Sequence, residues 1–268
     1  MRPNHLRELL DSGQSSLGTR LHSAWPTIIE LVGHSGQFDY VEILAEYAPY
    51  GLFELENQGR AIDLFPSMSG LVKVGQDAWT HLPVKSLGVG IQNLLFADIR
   101  TADDARTCVR AVRAEMPGIG GLRGVGQGRD VGIVLEVGSP AFAHATTESV
   151  VALMIEKREA IENLEAILAV PGVDMVQFGP ADYAMSIGVV GDRQHPAVRE
   201  AERHLIATAL RLGLHPRAEI HHPREAEAYL EQGVRHFCMG TDVRTLFAWY
   251  KEQGGALKAI LAGQGGAR

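Results

Sequence analysis

Glu156 and Asp182 are the residues of this chain whose types and spacing most directly suggest chemistry. Glu156 ends the apolar run VVALMIE (150–156), and Asp182 follows a second run, VDMVQFG (173–179), in the segment GPAD. Between the runs, REAIENLEAIL (158–168) has the spacing of one amphipathic helix. A strand–helix–strand unit returns the chain to the same edge of a sheet, so both carboxylates are expected on one rim. Two hard oxygen ligands suit a divalent ion such as Mg²⁺, Mn²⁺ or Co²⁺, with water and substrate completing the shell. Each acid also has a plainer use, Glu156 as a solvated or capping loop residue and Asp182 as the N-cap of a short helix. The backbone amides of Gly179, Ala181 and Asp182 open that helix, where exposed N–H groups attract a substrate carboxylate.

Other polar residues stand at the ends of strand-like runs: Arg20 and His22, Glu46 and Tyr47, Lys73, Asp98, and Glu219 to His222. Carboxylates gathered at such positions need a metal or a cationic partner, because an unpaired buried charge is costly. Lys73, in LVKV, fits three roles: a Schiff-base amine if its pKa is depressed, a polarising cation, or a structural partner of Glu46 or Glu42. Tyr47 either moves a proton or packs as an aromatic, and it is a poor base at neutral pH without a nearby cation. Arg217, Glu219 and His221 alternate, which places them on one face of a strand. They are expected to read a polar substrate or to form a satisfied polar network.

The elements that must position these residues alternate along the chain. Strands are expected over 16–22, 38–46, 69–75, 90–99, 150–156, 173–179, 215–220 and 236–240. Helices are expected over 25–36, 52–65, 102–115, 158–168, 196–213, 224–233 and 243–253. About eight strand–helix pairs in roughly 250 residues match one closed (β/α)₈ barrel, whose working residues lie at the C-terminal ends of its strands. An open doubly wound sheet is less favoured, because no dinucleotide fingerprint follows a strand. The Gly-rich segment 117–132 reads as an ordered loop over a site.

Composition narrows the function class. A net charge of −7 disfavours nucleic acid and anionic membranes as partners. The two cysteines, Cys108 and Cys238, suggest neither a disulfide framework nor a zinc cluster, so a cytoplasmic setting is expected. The first residues, MRPNHLRELLDSG, lack the apolar core of a signal peptide, and no run approaches a membrane span.

With these motifs in view, the chain resembles the HpcH/HpaI aldolases, metal-dependent pyruvate aldolases. The resemblance covers about 16–250 and rests on SLGTR (16–20), GLRGVG (121–126), the Glu of MIEKREAIENLEAIL, PGVDMVQFGPADYAMSIG (171–188), HPAV (195–198) and GTD (240–242). It implies a (β/α)₈ barrel of the pyruvate-binding type, assembled as a hexamer built as a trimer of dimers, with the last helix, about 243–262, swapped between subunits. It also implies that Glu156 and Asp182 hold the metal, that the amides of Ala181 and Asp182 hold the pyruvate carboxylate, and that a keto acid and an aldehyde are the substrates. The metal would stabilise the pyruvate enolate as a Lewis acid. The chain departs from the family pattern after strand two, where Asp-x-Glu-His is usual. Here LAEYAP (44–49) carries Leu44 at the Asp position, Glu46 at the Glu and Tyr47 at the His, and Lys73 stands where the family has an arginine. An altered lyase using Tyr47 and Lys73, another metal-dependent keto-acid reaction such as decarboxylation, and a keto-acid-binding protein are all consistent with this reading.

Overall fold

All six residues of Ser69–Val74 and all five of Val151–Ile155 are buried. Strands with helices on one face and a packed interior on the other show this continuous burial. The computed structural model describes residues 2–264. Its eight strands are β1 (Ser16–Leu21), β2 (Tyr40–Ile43), β3 (Ser69–Val74), β4 (Asn93–Ile99), β5 (Val151–Ile155), β6 (Met175–Phe178), β7 (His215–Ile220) and β8 (His236–Thr241). They pair in parallel in chain order and β8 returns to β1, closing a (β/α)₈ barrel as the alternation predicts. The helices are α1 (His5–Asp11), α2 (Thr27–Ser35), α3 (Leu52–Ile62), α4 (Leu82–Gly88), α5 (Ala102–Val112), α6 (Pro140–Glu148), α7 (Arg158–Glu162), α8 (Leu164–Leu168), α9 (Pro180–Ser186), α10 (Pro196–Arg211), α11 (Glu225–Glu231) and α12 (Asp242–Gln264).

Two layers fill the barrel. At the floor, Leu6 and Leu10 of α1 pack against Tyr40, Leu71, Leu95, Val150, Met154 and Met175. Helix α1 thus plugs the N-terminal end of the barrel, ahead of the first expected strand. Above this apolar plug lies a polar layer. The Arg217 guanidinium pairs with Glu42 and Gln177, and its Nε donates to Tyr40 Oη at 2.7 Å. Tyr40 Oη in turn donates to the Phe237 carbonyl at 2.8 Å. Gly18 makes room for the Tyr40 ring, since a methyl there would overlap it.

Three expectations change. Strand two ends at Ile43 rather than residue 46, so Glu46 and Tyr47 stand on the turn that follows it. The helix over 158–168 divides at Asn163 into α7 and α8. The Gly-rich segment 117–132 is ordered but covers the opposite end of the barrel from the strand C-termini. Leu122 N–H bonds the Arg110 carbonyl near the end of α5, and Arg129 pairs with Asp63 at the end of α3. Both helix ends feed into the N-termini of strands, so this segment belongs to the floor.

Candidate active site at the barrel mouth

Buried and half-buried charges crowd the C-terminal ends of the strands. Glu156, just past β5, is 2 % exposed. Its Oε1 accepts the Asp98 backbone N–H at 2.8 Å. Its Oε2 lies against Gly179, where an added Cβ would stand 2.5 Å away. Asp182, in the first turn of α9, lines a mouth cavity of about 300 Å³ together with Arg20, Tyr47, Lys73, Gly179, Ala181 and Glu219. Most of the residues picked out by sequence are therefore brought to one place.

Four cations answer the carboxylates. Arg20 and Glu219 form a two-pronged pair, both contacts at 2.6 Å. Lys73 pairs with Glu46. Lys157 Nζ reaches Asp98 Oδ1 at 2.8 Å and Asp182 Oδ1 at 3.3 Å. Arg217 pairs with Glu42. Among the described residues Glu156 has no ion-pair partner, whereas Asp182 shares Lys157 with Asp98. Exposed Arg193 and Arg244 also line the cavity, and Asp242, just past β8, accepts the His22 and Ser23 backbone N–H groups.

The protonation of the site follows from these neighbours. Burial pushes the Glu156 carboxyl up to about 7, and the Asp182 charge adds to the rise. Lys73, the Asp98 amide and Lys157 act in the opposite sense without cancelling it. Lys73 is itself buried, which favours loss of its proton, yet Glu46, Glu156 and Glu42 outweigh burial and hold the ammonium above its ordinary value. A Schiff-base lysine needs the reverse shift. Burial raises the Tyr47 phenol against the pull of Lys73 and Arg20, so this residue keeps its proton at neutral pH and can donate but not abstract one. Lys73 Nζ sits 5.4 Å from the Tyr47 ring centroid.

Stability should follow the Glu156 shift. Its carboxyl binds a proton more readily in the folded chain than at its ordinary value of 4.5. Below that value the folded state bears no penalty, and stability is lost as pH rises from there through about 7. The full loss is on the order of 3 kcal/mol for an isolated site. Denaturant titrations of metal-free protein at pH 5.5 and 8 should show this slope, and Glu156→Gln should flatten it. Parallel profiles for the two proteins would show that the charged carboxylate is not penalised.

Two expected substrate contacts need correction. Arg217 does not reach the mouth: its side chain is fully buried and its donors are spent on Tyr40, Gln177 and Glu42. The polar face of β7 is therefore a satisfied interior network at Arg217 and a rim pair at Glu219. The Gly179 amide is also unavailable, because it donates to the Ile155 carbonyl at 3.0 Å. Gly179 instead supplies space beside Glu156, and of the three expected amides only those of Ala181 and Asp182 remain. Three residues had no role assigned from sequence. Lys157 directly follows Glu156, Asp98 is a polar residue inside the apolar run NLLFADI, and His22 is the one imidazole lining the cavity among the described residues.

The closed barrel, with charged residues gathered at the C-terminal ends of its strands, has the architecture of a (β/α)₈ enzyme. Residues 22–248 match the HpcH/HpaI aldolase/citrate lyase family, and the chain belongs to that family of pyruvate-type aldolases and citrate lyases. It is an enzyme of the lyase class. A curated relative, the 4-hydroxy-2-oxo-heptane-1,7-dioate aldolase of Salmonella arizonae, is 33 % identical over 91 % of this chain and 90 % of its own length. Among solved structures, an HpcH/HpaI aldolase/citrate lyase family protein from Burkholderia cenocepacia superposes with a TM-score of 0.86 at 29 % identity, covering 96 % of this chain and 99 % of the other. An HpcH/HpaI aldolase from Desulfitobacterium hafniense gives 0.84 at 26 % identity, covering 94 % and 96 %.

Proposed function

We propose that this protein is a divalent-metal-dependent aldolase that forms or cleaves a 2-keto acid through a pyruvate-type enolate. The observation that carries the proposal is the buried Glu156 carboxylate, with no ion-pair partner among the described residues, set close enough to Asp182 for that charge to add to the rise of its pKa to about 7. A divalent cation would offset the two carboxylate charges, and the oxygen donors of both residues suit Mg²⁺, Mn²⁺ or Co²⁺. Among the described residues no group of three His, Cys, Asp or Glu converges on one point. The protein would supply two ligands and leave the other positions to water and substrate. Bound there, the cation supplies Lewis-acid stabilisation of the negative charge that develops on the keto oxygen.

The residues around it divide the remaining work. The Ala181 and Asp182 amides, at the start of α9, receive the substrate carboxylate. The Lys73 ammonium, fixed by Glu46, polarises the keto oxygen as a compact charge. Proton transfer departs from the family pattern, with Leu44 and Tyr47 standing where an Asp and a His are usual. Tyr47 donates its phenol proton to the acceptor oxygen. The methyl proton lost on enolate formation goes to His22, whose ring centroid lies 6.2 Å from that of Tyr47, and solvent returns it to the Tyr47 phenolate. The His22 backbone N–H is held by Asp242 Oδ1 at 2.9 Å. Arg20, clamped by Glu219, also lines the cavity. Arg193 and Arg244 suit a second anionic group on the acceptor, in keeping with the dioate in the name of the Salmonella relative.

A cytoplasmic homo-oligomer is part of this proposal, and the family resemblance extends it to a hexamer built as a trimer of dimers. Along α12, Phe247, Trp249, Tyr250, Leu257, Ile260 and Leu261 are all exposed. An apolar series of that length calls for a covering surface, which supports the swapped last helix. No described helix is long and apolar enough to cross a membrane.

Chelation tests the metal against the Schiff base. EDTA should abolish carbon–carbon cleavage, and Mg²⁺, Mn²⁺ or Co²⁺ should restore it. Borohydride added with pyruvate should leave the intact mass of the protein unchanged. Activity that resists EDTA, together with a borohydride adduct on Lys73, would replace the metal with a lysine nucleophile.

A further inference from the structure

Asp98 has a backbone φ of +62°, a left-handed conformation for a non-glycine residue inside β4. The β4–β5 ladder shifts register at this point, between Phe96 and Ile99. Such strain persists only where surrounding contacts over-determine it, and bulges re-aim groups beside active sites. Here the bulge aims two groups. The freed Asp98 N–H donates to Glu156 Oε1 at 2.8 Å, and the Asp98 carboxylate anchors Lys157 Nζ at 2.8 Å. Lys157 then holds Asp182 Oδ1 at 3.3 Å. Arg100 fixes the bulge from outside by donating to the Asp98 carbonyl at 2.9 Å. Each candidate ligand thus has one oxygen pinned. Among the described residues, no hydrogen bond reaches Glu156 Oε2 or Asp182 Oδ2.

We propose that Asp98 and Lys157 are positioning residues for the cation site, with the Asp98 bulge holding Glu156 by its amide and Asp182 through Lys157. This inference rests on the metal-dependent reading above. It makes a prediction whose sign is opposite to simple electrostatics. Removing a positive charge beside a cation site should tighten cation binding by Coulomb's law. Removing a clamp on the ligands should weaken it, by about 10–100-fold for partners of ligating groups.

The test is Mn²⁺ binding to the full chain, read by the EPR signal of free Mn²⁺, with circular dichroism as a control on folding. Lys157→Met should bind about 10–100-fold more weakly than wild type, and Lys157→Arg should recover most of the loss. Asp98→Asn, which tolerates the left-handed backbone and keeps the N–H, should weaken binding as well. The double variant should be no weaker than Lys157→Met alone, because the two residues act as one device. Unchanged or tighter binding in folded Lys157→Met overturns the proposal, and additive losses in the double variant overturn the coupling between the two residues. Should Lys157→Met fail to fold, unchanged or tighter binding in Asp98→Asn overturns the proposal by itself. A wild-type protein that binds no Mn²⁺ removes both this proposal and the metal-dependent reading. A wild type that binds Mn²⁺ with variants of equal affinity removes only the clamp.

Discussion

Glu156→Gln is expected to lower kcat/KM by about 10²–10³-fold or more while leaving the barrel folded. The amide keeps the shape of the side chain and can still accept the Asp98 N–H that now reaches Glu156 Oε1. What is lost is the negative charge that draws a cation to the site. The same change relieves the buried carboxylate of its penalty, so metal-free Glu156→Gln should be more stable than wild type above pH 7. Loss of turnover accompanied by a gain in metal-free stability is the signature of a residue kept for chemistry at a cost to folding. Steady-state kinetics on a 4-hydroxy-2-keto acid and urea denaturation at pH 8 check the two halves. A fully active variant would remove Glu156 from the mechanism, and a less stable one would make it a structural acid.

Arg217→Met is expected to destabilise the fold by about 3–5 kcal/mol. Glu42 is 1 % exposed, and burial alone would raise its carboxyl. Arg217, with help from Arg20 and Lys73, holds it below its ordinary value. Without the guanidinium, Glu42 is left as an unpaired charge in the centre of the barrel, and Tyr40 and Gln177 lose a partner. Adding Glu42→Leu to Arg217→Met should return much of the stability, since an apolar replacement of a buried pair is often neutral or better. Urea titration of both variants decides the matter. A loss below 1 kcal/mol for Arg217→Met would mean that water reaches this layer and screens Glu42.

The barrel was legible in the sequence because its strands are continuous apolar runs and its helices carry long amphipathic faces. That Glu156 and Asp182 meet at one end of the barrel was legible for the same reason, since they punctuate two such runs. Short or unusual elements were not. Helix α1 has only Leu6, Leu9 and Leu10 to mark it, and those residues gain meaning only once a barrel floor exists for them to plug. The Gly-rich segment 117–132 carries no periodicity that tells one end of a barrel from the other, and it folds onto the floor. Arg217 looked available because alternation gives a face but not a depth. One layer higher on the same face, Glu219 does reach the rim. The Asp98 bulge is a backbone event, and a single polar residue in an apolar strand does not announce a left-handed φ.

The central claim is that this mouth generates an enolate from a keto acid with a bound divalent cation. Proton exchange at the methyl group of pyruvate tests it most directly, because it reports enolate formation without any need to know the acceptor. The enzyme is incubated with pyruvate in D₂O, with Mg²⁺ or Co²⁺ present or with EDTA, and the methyl signal is followed by NMR. The account predicts exchange that requires the metal, stops with EDTA and vanishes in Glu156→Gln. Metal bound at the site with no exchange at any pH would contradict it, and would point instead to decarboxylation or to binding of a keto acid without turnover.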